Sequence, residues 1–378
     1  MEFKFSISEE VIQKVAREFA EKEVAPLAEE IDKEGKYPFE TFDKMAKMGY
    51  TGIGVPEEYG GSGGDDVTKA IVVSEIAKKC GATAAILSIH HVFVQCILKF
   101  GTEEQKQKYL PFVTSGGMKT AFALTEPNAG SDAAKVQTTA VLDGNEYVIN
   151  GTKCFITGGN LADYVVLFAS TDTSKGVKGL SAIVVPKGTP GFSIGKIENK
   201  MGIRASNTAE LIFDNCRVPK ENLVGKEGHG FKIAMILLDG ARIGIAAQAL
   251  GIAEGALEEA VSYMKERVQF GKPIAEFQGL QWYIAEMATK IECAKWMIYR
   301  AATLKINGQP FSKEAAMAKL FASETASFVA NKALQIHGGY GYMKDYSLER
   351  MVRDAKITEI YEGTSEIHKV VISRAVLG

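Results

Sequence analysis

The spacing of apolar residues divides the chain into three blocks. Up to about Gly117 the period is helical. Ser6 and Glu9 stand at the spacing of a capping box, in which each side chain takes the other residue's backbone N–H. Val11, Val15 and Phe19 then recur every fourth residue. Pro26 and Pro38 punctuate the early helices, and the glycine-rich stretch 57–65 reads as a loop. Thr102 and Gln105 form a second capping box that opens a short helix. From Met118 the period shortens. Runs at 119–124, 146–149, 164–168, 180–185 and 209–213 are rich in β-branched and aromatic residues. Turn signals separate them: Asp143-Gly144-Asn145, Asn150-Gly151, Pro190-Gly191 and Asp214-Asn215. Strands with no helix between them predict an antiparallel barrel or sandwich rather than a parallel nucleotide-binding sheet. From Glu227 the helical period returns, with long segments beginning near Gly230, Ile274 and Phe311 and breaks at 307–310 and 338–339. Short connectors predict an antiparallel bundle. The expected class is therefore α+β, with a helical domain at 1–117, a β domain at 118–226 and a helical bundle at 227–378. No period of 20–50 residues suggests a solenoid.

Composition narrows the function classes. A chain of 378 residues favours two or three domains. Apolar residues are 46% and charged residues 24%, which excludes a disordered tail protein. The net charge of −2 gives no basic field for phosphate backbones, so no nucleic-acid partner is expected. The cysteines are Cys80, Cys96, Cys154, Cys216 and Cys293; no C-x-x-C occurs, so neither a zinc ribbon nor a thioredoxin motif is available. A reducing compartment is the simple reading. The amino terminus has no basic segment followed by an apolar stretch, so no secretory signal is predicted and the cytoplasm is the expected location. The segment 233–253 is apolar enough to suggest a membrane span, but Asp239 and Arg242 near its middle argue for a buried helix.

Candidate chemistry lies between and beyond these elements. His337-Gly338-Gly339-Tyr340-Gly341 tempts a dinucleotide reading, but that motif follows a strand, and here a helical segment leads in. Gly338-Gly339 reads instead as a helix C-cap, or as bare backbone that a cofactor can approach. No Walker sequence and no G-x-S-x-G occurs. Thr125 to Asp132 follows a strand; it is a plain turn, or a loop whose N–H groups and hydroxyls face a polar cofactor. Asp239 and Arg242, at i and i+3, can pair on one helix face, and a buried pair needs further partners that a ligand could supply. Gly363 can end one helix and Thr364 can cap the next, which places Glu362 at a junction between Tyr361 and Gly363. A desolvated carboxylate there would serve as a general base; the competing reading is one more solvated glutamate beside Glu359 and Glu366. The histidines, His90, His91, His229, His337 and His368, show no metal-binding spacing, so no metal is expected. His90 and His91 point about 100° apart on a helix and cannot readily serve one site.

Six motifs, in order, carry a resemblance over essentially the whole chain: Pro56 to Gly61, Ala123 to Asp132, Gly151 to Thr157, Arg267 to Pro273, Gln335 to Gly339, and Arg353 to Thr364. Together they resemble the acyl-CoA dehydrogenases, closest in pattern to the short-chain, butyryl-CoA type. These are flavoenzymes that form the α,β double bond of acyl-CoA thioesters on a fold of helical domain, β-barrel and four-helix bundle. The resemblance implies FAD held between the β block and the carboxy-terminal helices. Phe122, Leu124, Thr125, Gly130 and Ser131, with Phe155, Ile156 and Thr157, would contact the flavin and ribityl chain. Arg267, Phe270, Gln278, Gln335, Ile336, Gly338 and Gly339 would reach the cofactor of a neighbouring subunit, where an arginine suits a pyrophosphate. Thr364 and Glu366 would complete that site. Ser131, Asp239, Arg242 and Gly363 would contact acyl-CoA. The resemblance further implies a homotetramer built as a dimer of dimers, and an electron-transferring flavoprotein as electron acceptor.

The same resemblance makes Glu362 the catalytic base. Its carboxylate would take the α-proton while a hydride leaves the β-carbon for flavin N5, and its N–H, with a ribityl hydroxyl, would polarise the thioester carbonyl. Some relatives carry the base at the position of Ala241, where alanine cannot act. Two departures stand out: Cys96 where relatives often have proline, and His90 and His91 on what resembles the acyl-cavity wall. Either both imidazoles pack near a surface or interface, or one meets a polar, unsaturated or cyclic acyl group. Thr83, near an arginine position of glutaryl-specific relatives, argues against a dicarboxylic substrate. Three function classes follow: a short-chain acyl-CoA dehydrogenase; a dehydrogenase or reductase of a cyclic, aromatic or otherwise substituted acyl-CoA, working within an electron-bifurcating complex; and a helical interaction module without chemistry.

Overall fold

A computed structural model describes residues 5–378; the first four residues, on which part of the amino-terminal reading rests, lie outside the described residues. The helices of the first block are α1 (Ile7–Phe19), α2 (Ala28–Glu34), α3 (Phe39–Lys47), α4 (Asp66–Ala77), α5 (Gly81–Phe100) and α6 (Glu103–Thr114). Both predicted capping boxes form. Ser6 N donates to Glu9 Oε2 at 2.6 Å and Glu9 N to Ser6 Oγ at 3.3 Å. Thr102 and Gln105 repeat the arrangement at 3.1 and 3.2 Å. The every-fourth repeat along α1 coincides only in part with its buried face. Val11 and Val15 are exposed, and Ala16 and Phe19 are the buried residues, with Ile12 packed alongside. A strict repeat of four drifts about 40° per step around a 3.6-residue helix, so 12, 16 and 19 hold the inward face better than 11 and 15.

The middle block holds β1 (Thr120–Ala123), β2 (Thr139–Asp143), β3 (Glu146–Thr157), β4 (Tyr164–Ser170), β5 (Leu180–Pro186), β6 (Phe192–Ile197), β7 (Thr208–Pro219) and β8 (Leu223–Val224). The sheet order is β6-β7-β3-β2-β4-β5-β8, with β1 pairing off this path onto β4. Pairing is mostly antiparallel, as predicted, but β1 runs parallel to β4 from Thr120↔Tyr164 to Ala123↔Leu167. The chain between them, which includes the β2–β3 hairpin, is long enough for that crossover. Two sequence signals read as turns are bulges inside long strands. Gly151 lies within β3 and Asn215 within β7. A Cβ at Gly151 would stand 2.5 Å from Thr138 Oγ1, so the glycine answers a close backbone approach. Asn215, with φ 50°, donates its N–H to Asn150 Oδ1 at 2.8 Å, which ties the two irregular segments together.

The last block begins with α7 (Gly230–Glu266), a helix of 37 residues that is about 55 Å long. The small hairpin β9 (Val268–Gln269) and β10 (Lys272–Pro273) follows, then α8 (Gln278–Ile306), α9 (Ser312–His337), α10 (Leu348–Ile357) and α11 (Ser365–Leu377). The breaks predicted at 307–310 and 338–339 separate α8 from α9 and end α9. Gly338, at φ 58°, caps α9. Two helices, α5 and α7, are long and apolar enough to cross a membrane by length and composition. Most of each apolar window is buried against the rest of the chain.

Three apolar clusters form. The largest joins α1 and α4 of the first block to α7, α8 and α9 of the last. A second, including Phe93, Tyr109, Phe168 and Leu237, joins α5 and α6 to the sheet and to α7. The third lies within the sheet. Glycines on α7 permit the closest helix contact: a Cβ at Gly251 would stand 2.1 Å from the Ser74 carbonyl oxygen.

Candidate active site

After Ile357, where α10 ends, the chain makes tight turns before Thr364 caps α11 by accepting from Ile367 N at 3.3 Å. The cap is the one the sequence predicts. The left-handed turn, however, begins one residue earlier than glycine requires: Glu362 itself has φ 53°, followed by Gly363 at φ 103°. A non-glycine residue held there costs about 1–3 kcal/mol and persists only where its surroundings over-determine it. Those surroundings are visible. Lys319, fully buried on α9, donates from Nζ to the Gly363 carbonyl at 2.7 Å. The Tyr361 hydroxyl donates to Gln248 Oε1 on α7. Ser365 N donates to the Glu359 carbonyl at 3.0 Å, and His368, fully buried, packs against Gly363 from below.

Glu362 is half-buried, and burial pushes its carboxyl above the ordinary range; the Lys319 ammonium and the Arg242 guanidinium pull it part of the way back. Burial in turn pushes Lys319 down to about 8, against the pull of Glu362. Arg242, buried on α7, holds Asp239 Oδ1 at 2.5 Å, and its Nε proton has no partner among the described residues. Burial raises the Asp239 carboxyl, partly offset by Arg242. His368 is pushed down to about 3 by burial, then by Lys319 and Arg242, so it is neutral. One carboxylate of raised affinity for protons thus faces two fixed cations, which suits taking up a proton and giving it back. Ala241, beside Arg242, is buried and offers no titratable group.

The β block meets this region through β1 and β3. Phe122 packs on Phe168 at 4.9 Å, and Leu124 is buried in the cluster that includes α7. The loop from Thr125 is fixed by Glu126, which the sequence reading passed over. Glu126 accepts from Gln137 N, Thr138 N and Lys153 Nζ at 2.7, 2.9 and 2.7 Å. Lys153 is fully buried and also donates to the Leu124 carbonyl at 2.9 Å. Burial lowers Lys153 to about 8 against the pull of Glu126. Cys154 N donates to the Thr125 carbonyl at 3.0 Å, so the two predicted cofactor segments lie side by side. Gly130 and Ser131 are exposed beyond this anchor. Phe155 is exposed with φ 56°, at a register shift of β3. Thr157 is half-buried, and Ile156 buries its side chain, leaving only backbone to offer.

The remaining predicted residues form a second group. The Arg267 guanidinium lies 5.5 Å over the Tyr340 ring, beside Gly338 and Gly339. Gln335 is exposed, Ile336 is buried, and a Cβ at Gly338 or Gly339 would meet nothing within 4 Å. Phe270, at φ 51° on the β9–β10 tip, is 95% exposed, and Gln278 opens α8 into solvent. At 1.5 Å per residue, Gln335 lies about 24 Å along α9 from Lys319, so this group stands far from Glu362. Thr364 and the exposed Glu366 belong to the first group by their place at the start of α11.

His90 and His91 occupy neither a surface nor one shared site. Both are buried. His90 Nε2 donates to the Val113 carbonyl at 3.2 Å and His91 Nε2 to the Tyr50 carbonyl at 2.8 Å. Cys96 and Thr83 are fully buried.

Comparison with known proteins places the whole chain. The acyl-CoA dehydrogenase N-terminal, middle and C-terminal domain families match residues 6–117, 121–216 and 228–377. The acryloyl-CoA reductase (NADH) of Anaerotignum propionicum is 65% identical over 379 residues, covering 100% of this chain and 96% of the relative. Butyryl-CoA dehydrogenase of Megasphaera elsdenii superimposes with a TM-score of 0.98 at 47% identity, covering 100% of both chains. A chain from a structure described as the electron transferring flavoprotein of Acidaminococcus fermentans, solved towards a mechanism of flavin-based electron bifurcation, matches with a TM-score of 0.98 at 55% identity, again over 100% of both.

Proposed function

Because the chain belongs to the acyl-CoA dehydrogenase family of enzymes, we propose that it interconverts a short-chain acyl-CoA and its trans-2-enoyl-CoA, with Glu362 handling the α-proton. The observation that carries this reading is the Glu362 carboxyl, raised by burial and held in a strained turn between Lys319 and Arg242. The two cations favour the ionised form that accepts a proton, and burial makes it a stronger base than a solvated glutamate. Its N–H is fixed with the turn and can donate to a thioester oxygen, which lowers the cost of the developing negative charge. Asp239, Arg242, Gly363 and Ser131 would align the CoA ester.

The residues present fit FAD. Gly130, Gly338 and Gly339 face open space where a ligand could touch bare backbone. Phe122 to Ser131 and Phe155 to Thr157 form one anchored surface beside α7 for the ring end, with Thr364 and Glu366 at the start of α11. Arg267, Phe270, Gln278 and Gln335 to Gly339 stand too far away to share that surface and would serve a neighbouring protomer, in a homotetramer built from dimers. FAD, when bound, supplies the hydride acceptor at N5. An electron-transferring flavoprotein is the partner this chemistry needs.

The direction of reaction has a second reading, supported by the 65% identity to an acryloyl-CoA reductase. In that direction Glu362 protonates the α-carbon, and the same turn and cations serve. Glu362→Gln tests the assignment: the variant is expected to bind FAD and butyryl-CoA yet fail to bleach the flavin anaerobically. Turnover near the parent rate would overturn it. Reduction of acryloyl-CoA with NADH in the presence of a co-purifying flavoprotein would decide for the reductive direction.

A further inference from the structure

Glu362 sits in its left-handed turn with a tether on either side. After it, Lys319 on α9 holds the Gly363 carbonyl. Before it, the Tyr361 hydroxyl reaches Gln248 on α7. Gln248 is the one polar side chain in the stretch 243–253 of that helix, and it is fully buried. A buried amide is costly unless both of its ends are satisfied, and here they are. Nε2 donates at 2.9 Å to the Gly81 carbonyl at the start of α5, and Oε1 accepts from Tyr361. A carbonyl can only accept, so Gly81 fixes the orientation of the amide and turns Oε1 towards the phenol. Burial, and then the charge of Glu362, hold that phenol well above its ordinary range, so it keeps the proton it donates. The same point on α5 meets α10. A Cβ at Gly81 would stand 3.1 Å from Asp354 Oδ2, so glycine spares this approach a tight contact. Both ends of the segment 354–361, which leads directly into Glu362, are therefore referred to the start of α5: Asp354 by close approach, and Tyr361 through the Gln248 amide.

We propose that Gln248 is a positioning residue for the proton-transfer step: being fully buried, it acts not on substrate but through Tyr361, and so fixes the placement of the Glu362 carboxylate. The inference rests on the reading of Glu362 as the base. An apolar side chain of the same length at this position fills the same space but releases the Tyr361 ring. The backbone of Glu362 can then relax from φ 53°, a conformation that is strained for a residue with a Cβ. A displacement of the carboxylate by about 1 Å costs up to roughly a hundredfold in rate. The contacts that hold acyl-CoA and flavin belong to other residues and remain.

The test is anaerobic stopped-flow bleaching of the flavin by butyryl-CoA in the full-length, flavin-loaded protein. It reads the rate at saturation and the butyryl-CoA concentration giving half of that rate, beside the flavin content of the same samples. Gln248→Met keeps the length of the side chain and removes both hydrogen bonds. It is expected to slow bleaching at saturation by about tenfold to a hundredfold, with the half-saturating concentration and the flavin content within about twofold of the parent. Tyr361→Phe, which removes one oxygen, is expected to slow bleaching to a similar degree. The double variant should be no slower than the slower single one, because the two residues act through one contact. The proposal is overturned by Gln248→Met bleaching at the parent rate, by a loss of rate matched by loss of flavin or of butyryl-CoA affinity, or by additive losses in the double variant. If the methionine variant does not fold, Tyr361→Phe carries the test alone: a slowed rate at unchanged affinity supports the tether, and the parent rate overturns it. Glu362→Gln, run beside these, keeps the two readings apart. Bleaching near the parent rate in that variant ends the base assignment, whereas an inert Glu362→Gln with an unimpaired Gln248→Met defeats only the tether.

Discussion

Replacing Lys319 with methionine sets two effects of similar size against each other, and the balance separates a positioning role from a purely structural one. Burial lowers this lysine from 10.5 to about 8, so keeping it charged at pH 7 costs about 3 kcal/mol, which methionine abolishes. Against that gain, the Gly363 carbonyl loses a charged hydrogen bond of 2.7 Å, worth about 1.5–3 kcal/mol. The two nearly cancel, so the melting temperature is expected to move by only a few degrees. The effect on Glu362 has no such offset. It loses one of its two opposing charges and keeps Arg242, which should raise its pKa further. A base works when ionised, so the ascending limb of the pH–rate profile should move to higher pH. The measurement is anaerobic stopped-flow bleaching of the flavin by butyryl-CoA across pH 5–9, beside thermal unfolding of the same samples. Lys319→Arg should leave the limb near its original position. If the methionine variant stays folded and flavin-loaded with its limb unmoved, the electrostatic reasoning is wrong.

Three further substitutions, and one control, probe the framework. Asp354 is buried, accepts from Ile203 N, and has its carboxyl raised by burial to about 6. The folded state therefore binds more protons than the unfolded state between pH 4 and 6, and stability should fall across that window by up to about 3 kcal/mol. Asp354→Asn should flatten that slope in urea denaturation, and an unchanged slope would count against the shift. Lys153→Met leaves Glu126 charged and buried without its cation, which should cost about 3–5 kcal/mol and loosen flavin retention; urea midpoints and flavin fluorescence read both. Gly251→Ala drives a methyl into the Ser74 carbonyl and should cost about 1–3 kcal/mol, whereas Gly279→Ala, in open space, should cost nothing measurable.

Much of the architecture was legible because its causes are local. Capping boxes, the switch from period 3.6 to period 2, and the breaks around α9 all rest on neighbouring residues. What was misread depends on distant ones. Asn150-Gly151 looks like a turn until Thr138 crosses it, and β2 and β6 were missed because much of each faces solvent. Within the site, the junction at Glu362 was readable from Gly363 and Thr364, but the left-handed backbone on the glutamate itself was not. Lys319 left a signal that went unused: its helical neighbours Ala315, Ala316 and Ala322 form one inward face, which leaves its ammonium nowhere to go but the interior. Lys153 likewise stands at an inward position of β3 that alternation should have filled with an apolar residue.

The apolar cluster that unites α1 and α4 with α7, α8 and α9 bears on how the protein is made. The cluster within the sheet draws on contiguous residues and can close as soon as that stretch leaves the ribosome. Ala70 and Val73, by contrast, wait for Ala246 to Ala260 on the far side of the sheet in sequence. At 5–20 residues per second that delay is roughly 10–35 s. A nascent amino-terminal segment must therefore be shielded for that interval, and a ribosome stalled inside α7 would release a sticky fragment rather than a stable domain.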